Sequence, residues 1–210
     1  MSARLLYVMD PMCSWCWGFA PVAQALIAQA RDAGIDTHLV PGGLRTGSSA
    51  LDASTRGYIL EHWQAVNEAT GQPFTLEGAM PDGFVYDTEP ACRALVAARG
   101  LDPRRAWVLL GAIQQAFYQG GEDVTLAPKL VDLAEQAGFE RSVFAERFAS
   151  TDVRVSTAAD FTWVQDLGIA GFPTLLAERN GQLALLTNGY QPLESLSPLL
   201  GRWLQQAACA

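Results

Sequence analysis

Two kinds of hydrophobic pattern divide the chain. Leu5-Leu6-Tyr7-Val8-Met9 is a compact apolar run closed by Asp10-Pro11, which predicts a buried strand over residues 5–9. From about residue 16 to 31 the period lengthens. Phe19, Val22, Ala23, Leu26, Ile27 and Ala30 form one helical stripe ended by Gly34, and Pro21 predicts a kink after the first turn. A second strand is expected over residues 35–41, closed by Gly42-Gly43, and strand, helix, strand favours a right-handed crossover with a parallel pair.

The middle of the chain reads differently. Helices are expected over residues 54–70, with Ile59, Trp63 and Val66 on one face, then over 90–99 after a Thr88 cap and 103–119 after an Asp102 cap. Further helices are expected over 126–137 and 140–149, and a looser Gly- and Pro-bearing stretch fills 71–87. No strand pattern occurs there. A long helix over 152–167 should turn Phe161, Val164 and Leu167 inward. Strands return at 174–178 and 183–187 around Arg179-Asn180-Gly181-Gln182, a strong hairpin signal, and a helix over 192–206 carries Leu196, Leu199, Leu200 and Trp203. The expected organisation is one globular α/β unit: residues 1–50 and 151–210 form one domain, and 51–150 are an all-helical insertion.

Composition narrows the function classes. Half of the 210 residues are apolar and 17% are charged, with no apolar run long enough for a membrane span. Fourteen Lys and Arg against 22 Asp and Glu give a net charge of -8, so neither a nucleic-acid backbone nor an anionic membrane is the expected partner. Only five apolar residues precede Asp10, too few for a secretory signal, and the expected location is the cytoplasm.

Of the four cysteines, Cys13 and Cys16 are three positions apart, while Cys92 and Cys209 are isolated. Cys13-Ser14-Trp15-Cys16 falls where the first strand hands over to the first helix. A thiol attacks a disulfide as the thiolate, which a helix N-terminus stabilises, so Cys13 is the expected nucleophile. Cys16, one turn along, can resolve a mixed disulfide. Cys13 is therefore expected to be exposed, and Cys16 buried and less acidic. Half of a zinc site is the alternative, but Cys92, Cys209, His38 and His62 are not at finger-like spacing, so the reading includes no metal. Two unrelated structural cysteines are the other alternative. His38 and His62 are read as structural, Cys92 as a small buried hydrophobe, and Cys209 as a tail residue without a catalytic task. Downstream, Gly171-Phe172-Pro173-Thr174-Leu175 places a proline at the opening of a strand, which by itself carries no special meaning.

Taken together, the C-x-x-C after the first strand, the Gly-x-Pro-Thr before a hairpin and the helical block between them resemble the DsbA-like branch of the thioredoxin superfamily. Asp10-Pro11-Met12-Cys13-Ser14-Trp15-Cys16-Trp17-Gly18-Phe19 is similar to the intracellular predicted protein-disulfide isomerases of that branch. The resemblance implies a thioredoxin-like fold with a large helical insertion between its β-α-β and β-β-α halves. It also implies a cis Pro173 against the cysteine pair, and a Phe172 backbone that bonds substrate. With Met12, Trp15 and Trp17, Phe172 would form an apolar rim suited to an extended polypeptide; Trp15 is read as a contact and Trp17 as core.

Two departures qualify the carry-over. Relatives often hold a buried carboxylate six residues before the first cysteine, where this chain has Tyr7; Asp10 either substitutes for it or is a plain strand-end residue. Strongly oxidising relatives have histidine before the second cysteine, where this chain has the uncharged Trp15, which points to reduction or isomerisation. The expected activity is that of a protein-disulfide oxidoreductase or isomerase acting on protein, peptide or small-molecule disulfides. No cofactor is expected to be bound, and glutathione is a candidate co-substrate. Kappa-like glutathione-dependent transferases or isomerases share the outline but typically carry serine at the position of Cys13. A non-enzymatic redox-regulated chaperone or adaptor is the third class.

Overall fold

The computed structural model describes residues 3–208. Its sheet runs β2-β1-β3-β4, with β1 (Ala3–Met9) parallel to β2 (Asp36–Pro41) and antiparallel to β3 (Thr174–Arg179), which forms a hairpin with β4 (Gln182–Asn188). Leu5 to Met9 are all at most 2% exposed. That explains their unbroken apolar run: β1 is flanked by strands on both edges and covered on both faces. Side-chain alternation sends Leu5, Tyr7 and Met9 to one core and Leu6 and Val8 to another. At the hairpin tip Asn180 and Gly181 both have positive φ, 51° and 80°, as a two-residue primed turn requires.

On the first face lies α1 (Ser14–Asp32), which turns Phe19, Ala23, Leu26 and Ala30 into the core and packs beside α8 (Leu193–Ala208). α1 runs as one unbroken helix through Pro21. The second face is covered by α7 (Thr151–Asp166) through Val164 and Trp163. Leu167 does not point inward as its spacing suggested: it sits at the C-cap, 42% exposed, and Trp163 takes its place on the sheet. Leu199 is likewise 38% exposed, because Leu196 and Leu200, four apart, already form the inward stripe of α8.

Between β2 and α7 stand α2 (Ala53–Thr70), α3 (Glu89–Leu101), α4 (Pro103–Tyr118), α5 (Ala127–Gln136) and α6 (Arg141–Ala149). α3 is their hub. Its small residues Ala91, Ala94, Ala97 and Ala98 are fully buried, which lets α4, α5, α6, α7 and β2 pack around it. Arg99 of α3 donates to the Leu39 carbonyl (2.6 Å) and pairs with Asp160 of α7 (2.9 Å), tying the block to the sheet. Asp102 caps α4 through the N–H groups of Arg104 and Arg105. Thr88 does not cap α3 through its side chain: it lies in a helical conformation, and its hydroxyl instead faces the backbone of Arg45.

His62 is exposed and stacks on Tyr58. His38 is half-buried on β2. Burial, followed by the charges of Arg99 and Arg4 and opposed by Glu178, lowers its pKa from 6.5 to about 4. Between those values the unfolded chain binds a proton at His38 that the folded protein does not, so stability falls as the pH drops through that window. In urea titrations at several pH values, His38→Asn is expected to flatten this acid limb and leave stability near pH 8 little changed; an unaltered slope would refute it.

Candidate functional site

The site begins where β1 ends. Pro11 sits at the second position of a turn closed by the Cys13 N–H to the Asp10 carbonyl (3.1 Å), while Asp10 Oδ1 accepts the Met12 N–H (2.8 Å). This double turn delivers Cys13 to the N-cap of α1, in extended conformation, with its carbonyl accepting the N–H groups of Cys16 and Trp17. No acidic side chain occupies the first turn to oppose the helix dipole there. Cys16 lies one turn further on, wholly buried, and both thiols are free. Cys13 is only 6% exposed, not the open thiol its expected role suggested, because the 171–173 loop folds over it.

That loop comes from the far end of the chain. The Phe172-Pro173 bond is cis, and the Cys13 thiol donates to the Phe172 carbonyl at 3.6 Å. Thr174 Oγ1 donates to the Gly171 carbonyl (2.9 Å), and the Gly189 N–H to the Pro173 carbonyl (2.7 Å), holding the loop at both sides. The Phe172 ring lies on Gly42, where a Cβ would fall 2.2 Å from the ring; only glycine lets β2 end so close. Structure thus brings together Cys13, Cys16, Phe172 and Pro173, as the sequence motifs suggested separately. Trp15 is half-buried and packs near Tyr190 (5.9 Å between rings). Trp17 is core: its Nε1–H donates to the Pro73 carbonyl (2.9 Å), and its ring stacks on Tyr118.

Beneath the pair, burial raises the Cys16 thiol well above its usual pKa, reinforced by Cys13 and partly offset by the backbone N–H of Asp10. The Tyr7 hydroxyl, itself pushed up by burial and then by the two sulfurs, faces Cys16; Tyr7 stands six residues before Cys13, at the position that the resemblance associates with a carboxylate. Asp10 has a defined place too. Fully buried, it accepts the Leu44 N–H on Oδ2 (2.7 Å) and the Cys92 thiol (3.3 Å), besides the Met12 N–H. Burial raises its pKa, while its hydrogen bonds with Thr88, Leu44, Met12 and Cys92 pull it back. Cys92 is therefore no mere small hydrophobe: it is a donor to a buried carboxylate. Cys209 lies outside the described residues.

Nothing in the sequence singled out Tyr86, Tyr190 or Arg45, and Gly42 read only as the end of a strand. The Asp-Pro at a strand end was a legible turn signal and Gly42-Gly43 a legible close-approach signal; the tyrosines left no local trace. Among the described residues no group of three or more His, Cys, Asp or Glu could hold a metal ion, and no helix is long and apolar enough to cross a membrane. A cleft of about 740 Å³, lined by Arg93, Val131, Arg141, Phe148 and Arg154 among others, lies in the helical block and shares no residue with the cysteine site.

A family model for the DSBA-like thioredoxin domain matches residues 4–201. The chain belongs to this family. Among solved structures, a "putative protein disulfide isomerase" from Nitrosomonas europaea is 43% identical, with 98% of this chain and 99% of that one covered and a TM-score of 0.91. The cytosolic disulfide reductase DsbM from Pseudomonas aeruginosa is 29% identical over 99% and 100% of the two chains, with a TM-score of 0.78. DsbM has also been solved with glutathione, in a structure 28% identical, covering 95% and 98%, with a TM-score of 0.75. A curated relative, the ClpXP adapter protein SpxH of Halalkalibacterium halodurans, is 20% identical over 80% of this chain; the chain spans 56% of that relative's length. A 2-hydroxychromene-2-carboxylate isomerase at 16% identity and a TM-score of 0.64 shares the fold. As a member of the DSBA-like family, the chain is thus grouped with thiol-disulfide oxidoreductases.

Proposed function

We propose that this DSBA-like protein is a disulfide reductase or isomerase of the cytoplasm, with Cys13 as nucleophile and Cys16 as resolving thiol. The observation that carries the reading is the Cys13 sulfur at the N-terminus of α1, 3.6 Å from the carbonyl before Pro173. The Cys13 thiolate attacks one sulfur of a substrate disulfide, which breaks as the other sulfur leaves as a thiolate and takes up a proton. Cys16 then gives up its proton and attacks Cys13, releasing the second substrate thiol. Two electrons have moved to the substrate, and the protein holds a Cys13–Cys16 disulfide. Phe172 offers backbone groups to an extended substrate, Pro173 orients them, and Trp15 forms an apolar wall with Tyr190. Two glutathione thiols are the proposed donor that restores the dithiol, leaving as oxidised glutathione.

The reductive direction is supported by Trp15, which brings no positive charge to the Cys13 thiolate. The cytoplasmic setting and the glutathione co-substrate are supported by the likeness to DsbM. Equilibration of the Cys13–Cys16 couple in glutathione buffers is expected to give a potential near thioredoxin's, about -270 mV. A value above about -150 mV would mark an oxidant instead. A second reading, a protein adaptor, is favoured by the likeness to SpxH; disulfide reduction that requires both cysteines would speak against it.

A further inference from the structure

We infer that Arg45 is a specificity-determining residue that binds a carboxylate of the thiol or disulfide substrate, so that the site prefers acidic peptide disulfides of the glutathione type. The inference rests on the dithiol reading above and adds to it a substrate class and the residue that selects it.

Arg45 follows the Gly42-Gly43 end of β2, on the same end of the sheet as Cys13, and its backbone is held there. Its N–H donates to Thr88 Oγ1 (3.3 Å), and its carbonyl accepts the Thr88 N–H (2.9 Å). The preceding Leu44 N–H donates to Asp10, the same carboxylate that shapes the turn into Cys13. The side chain is placed as well. Its guanidinium lies over the Tyr86 ring, 5.1 Å from the centroid, and the Tyr86 hydroxyl donates to the carbonyl of Met12 (2.5 Å), the residue before Cys13. Tyr86 thus acts as a rigid bracket between cation and nucleophile, since cation–π contact fixes the guanidinium face while its edge N–H groups stay available.

The cation itself is unpaired. Among the described residues Arg45, like Arg31, Arg104, Arg147, Arg154 and Arg202, takes part in none of the ion pairs and its guanidinium donates no hydrogen bond; what sets Arg45 apart is its bracket through Tyr86 to Met12, the residue beside Cys13. Asp87, the carboxylate next to Tyr86, is occupied with the Glu89 N–H (3.1 Å), and Asp10 is buried with its own donors. At this position a planar, fork-shaped donor stands beside the turn that carries the sulfur nucleophile, and its geometric match is a carboxylate on the incoming peptide. Glutathione carries two carboxylates close to its sulfur, and oxidised glutathione carries four.

The test is a single-turnover reaction of the fully reduced protein with two disulfides, oxidised glutathione and the uncharged bis(2-hydroxyethyl) disulfide, following released thiol by rapid quench. Each reaction needs only the two electrons of the Cys13–Cys16 dithiol. Arg45→Gln is expected to lower the second-order rate constant for oxidised glutathione by about tenfold, the scale of a charge-assisted hydrogen bond. The rate with the uncharged disulfide should not change. Arg45→Lys should recover part of the loss, and the salt dependence seen with oxidised glutathione should vanish in Arg45→Gln. An equal loss on both disulfides would mean that Arg45 only shapes the loop, and no loss on either would mean that it binds nothing; both overturn the inference while leaving dithiol chemistry standing. A wild-type protein that reduces neither disulfide would overturn the dithiol reading and this inference together.

Discussion

Cys13→Ser is expected to abolish disulfide reduction, whereas Cys16→Ser retains the first attack and accumulates mixed disulfides with its substrates. The reason is the unequal placement of the sulfurs. Cys13 caps α1, where the unpaired N–H groups of the first turn favour a negative sulfur, and it lies against the Phe172 carbonyl. Cys16 is fully buried, and burial raises its pKa well above the usual value, so it cannot meet a bulky disulfide directly. It reaches only a sulfur already joined to Cys13. Mass spectrometry of each variant after incubation with oxidised glutathione separates the two: an adduct on Cys16→Ser and none on Cys13→Ser. Faster alkylation of Cys16 than of Cys13 in the reduced protein would reverse the assignment.

Asp10→Ala is expected to cost about 3 kcal/mol of stability, because it leaves two buried donors, the Met12 N–H and the Cys92 thiol, and the half-buried Leu44 N–H without their acceptor. The same change should slow alkylation of Cys13, since the Asp10–Met12 turn that aims it is lost. Asp10→Asn is expected to cost less, as the amide oxygen can still accept from Met12. Its pH dependence differs as well. Burial raises the Asp10 pKa above its usual 3.8, so the folded protein keeps a proton there that the unfolded chain releases, and stability declines as the pH rises through the raised value. Asparagine, neutral throughout, should lack that decline. Urea titrations across pH measure both effects, and an Asp10→Ala variant as stable as wild type would show that the network around the carboxylate carries no weight.

Residue order alone made much of this protein legible. The buried run of Leu5 to Met9, the 3.6-residue stripe after it, the Asp102 cap and the Asn180-Gly181 hairpin are local signals, each written within one element, and each forms where it was expected. The two motifs of the site were equally local. Spacing puts Cys13 and Cys16 one helical turn apart, and Gly-x-Pro-Thr marks the start of β3.

Where contacts span distant segments, periodicity and turn chemistry were mute, and the meeting of Pro173 with the cysteine pair was implied by the family resemblance alone. That the Phe172 carbonyl lies against Cys13, 159 residues away, depends on β3 pairing antiparallel to β1. The exposure of Cys13 was misjudged for the same reason, because the loop that covers it is no neighbour in sequence. Cys92 looked like a small apolar residue since nothing near it on α3 needs a donor. Its partner, Asp10, comes from the end of β1, 82 residues away in sequence. Leu167 and Leu199 kept the right period but lost the competition for the sheet to Trp163 and to the Leu196–Leu200 stripe, a matter of helix ends and available space. Periodicity and turn chemistry act over a few residues and are encoded there. Burial, pKa and the pairing of polar groups are set by whatever the chain folds against them, and only the tertiary structure decides that.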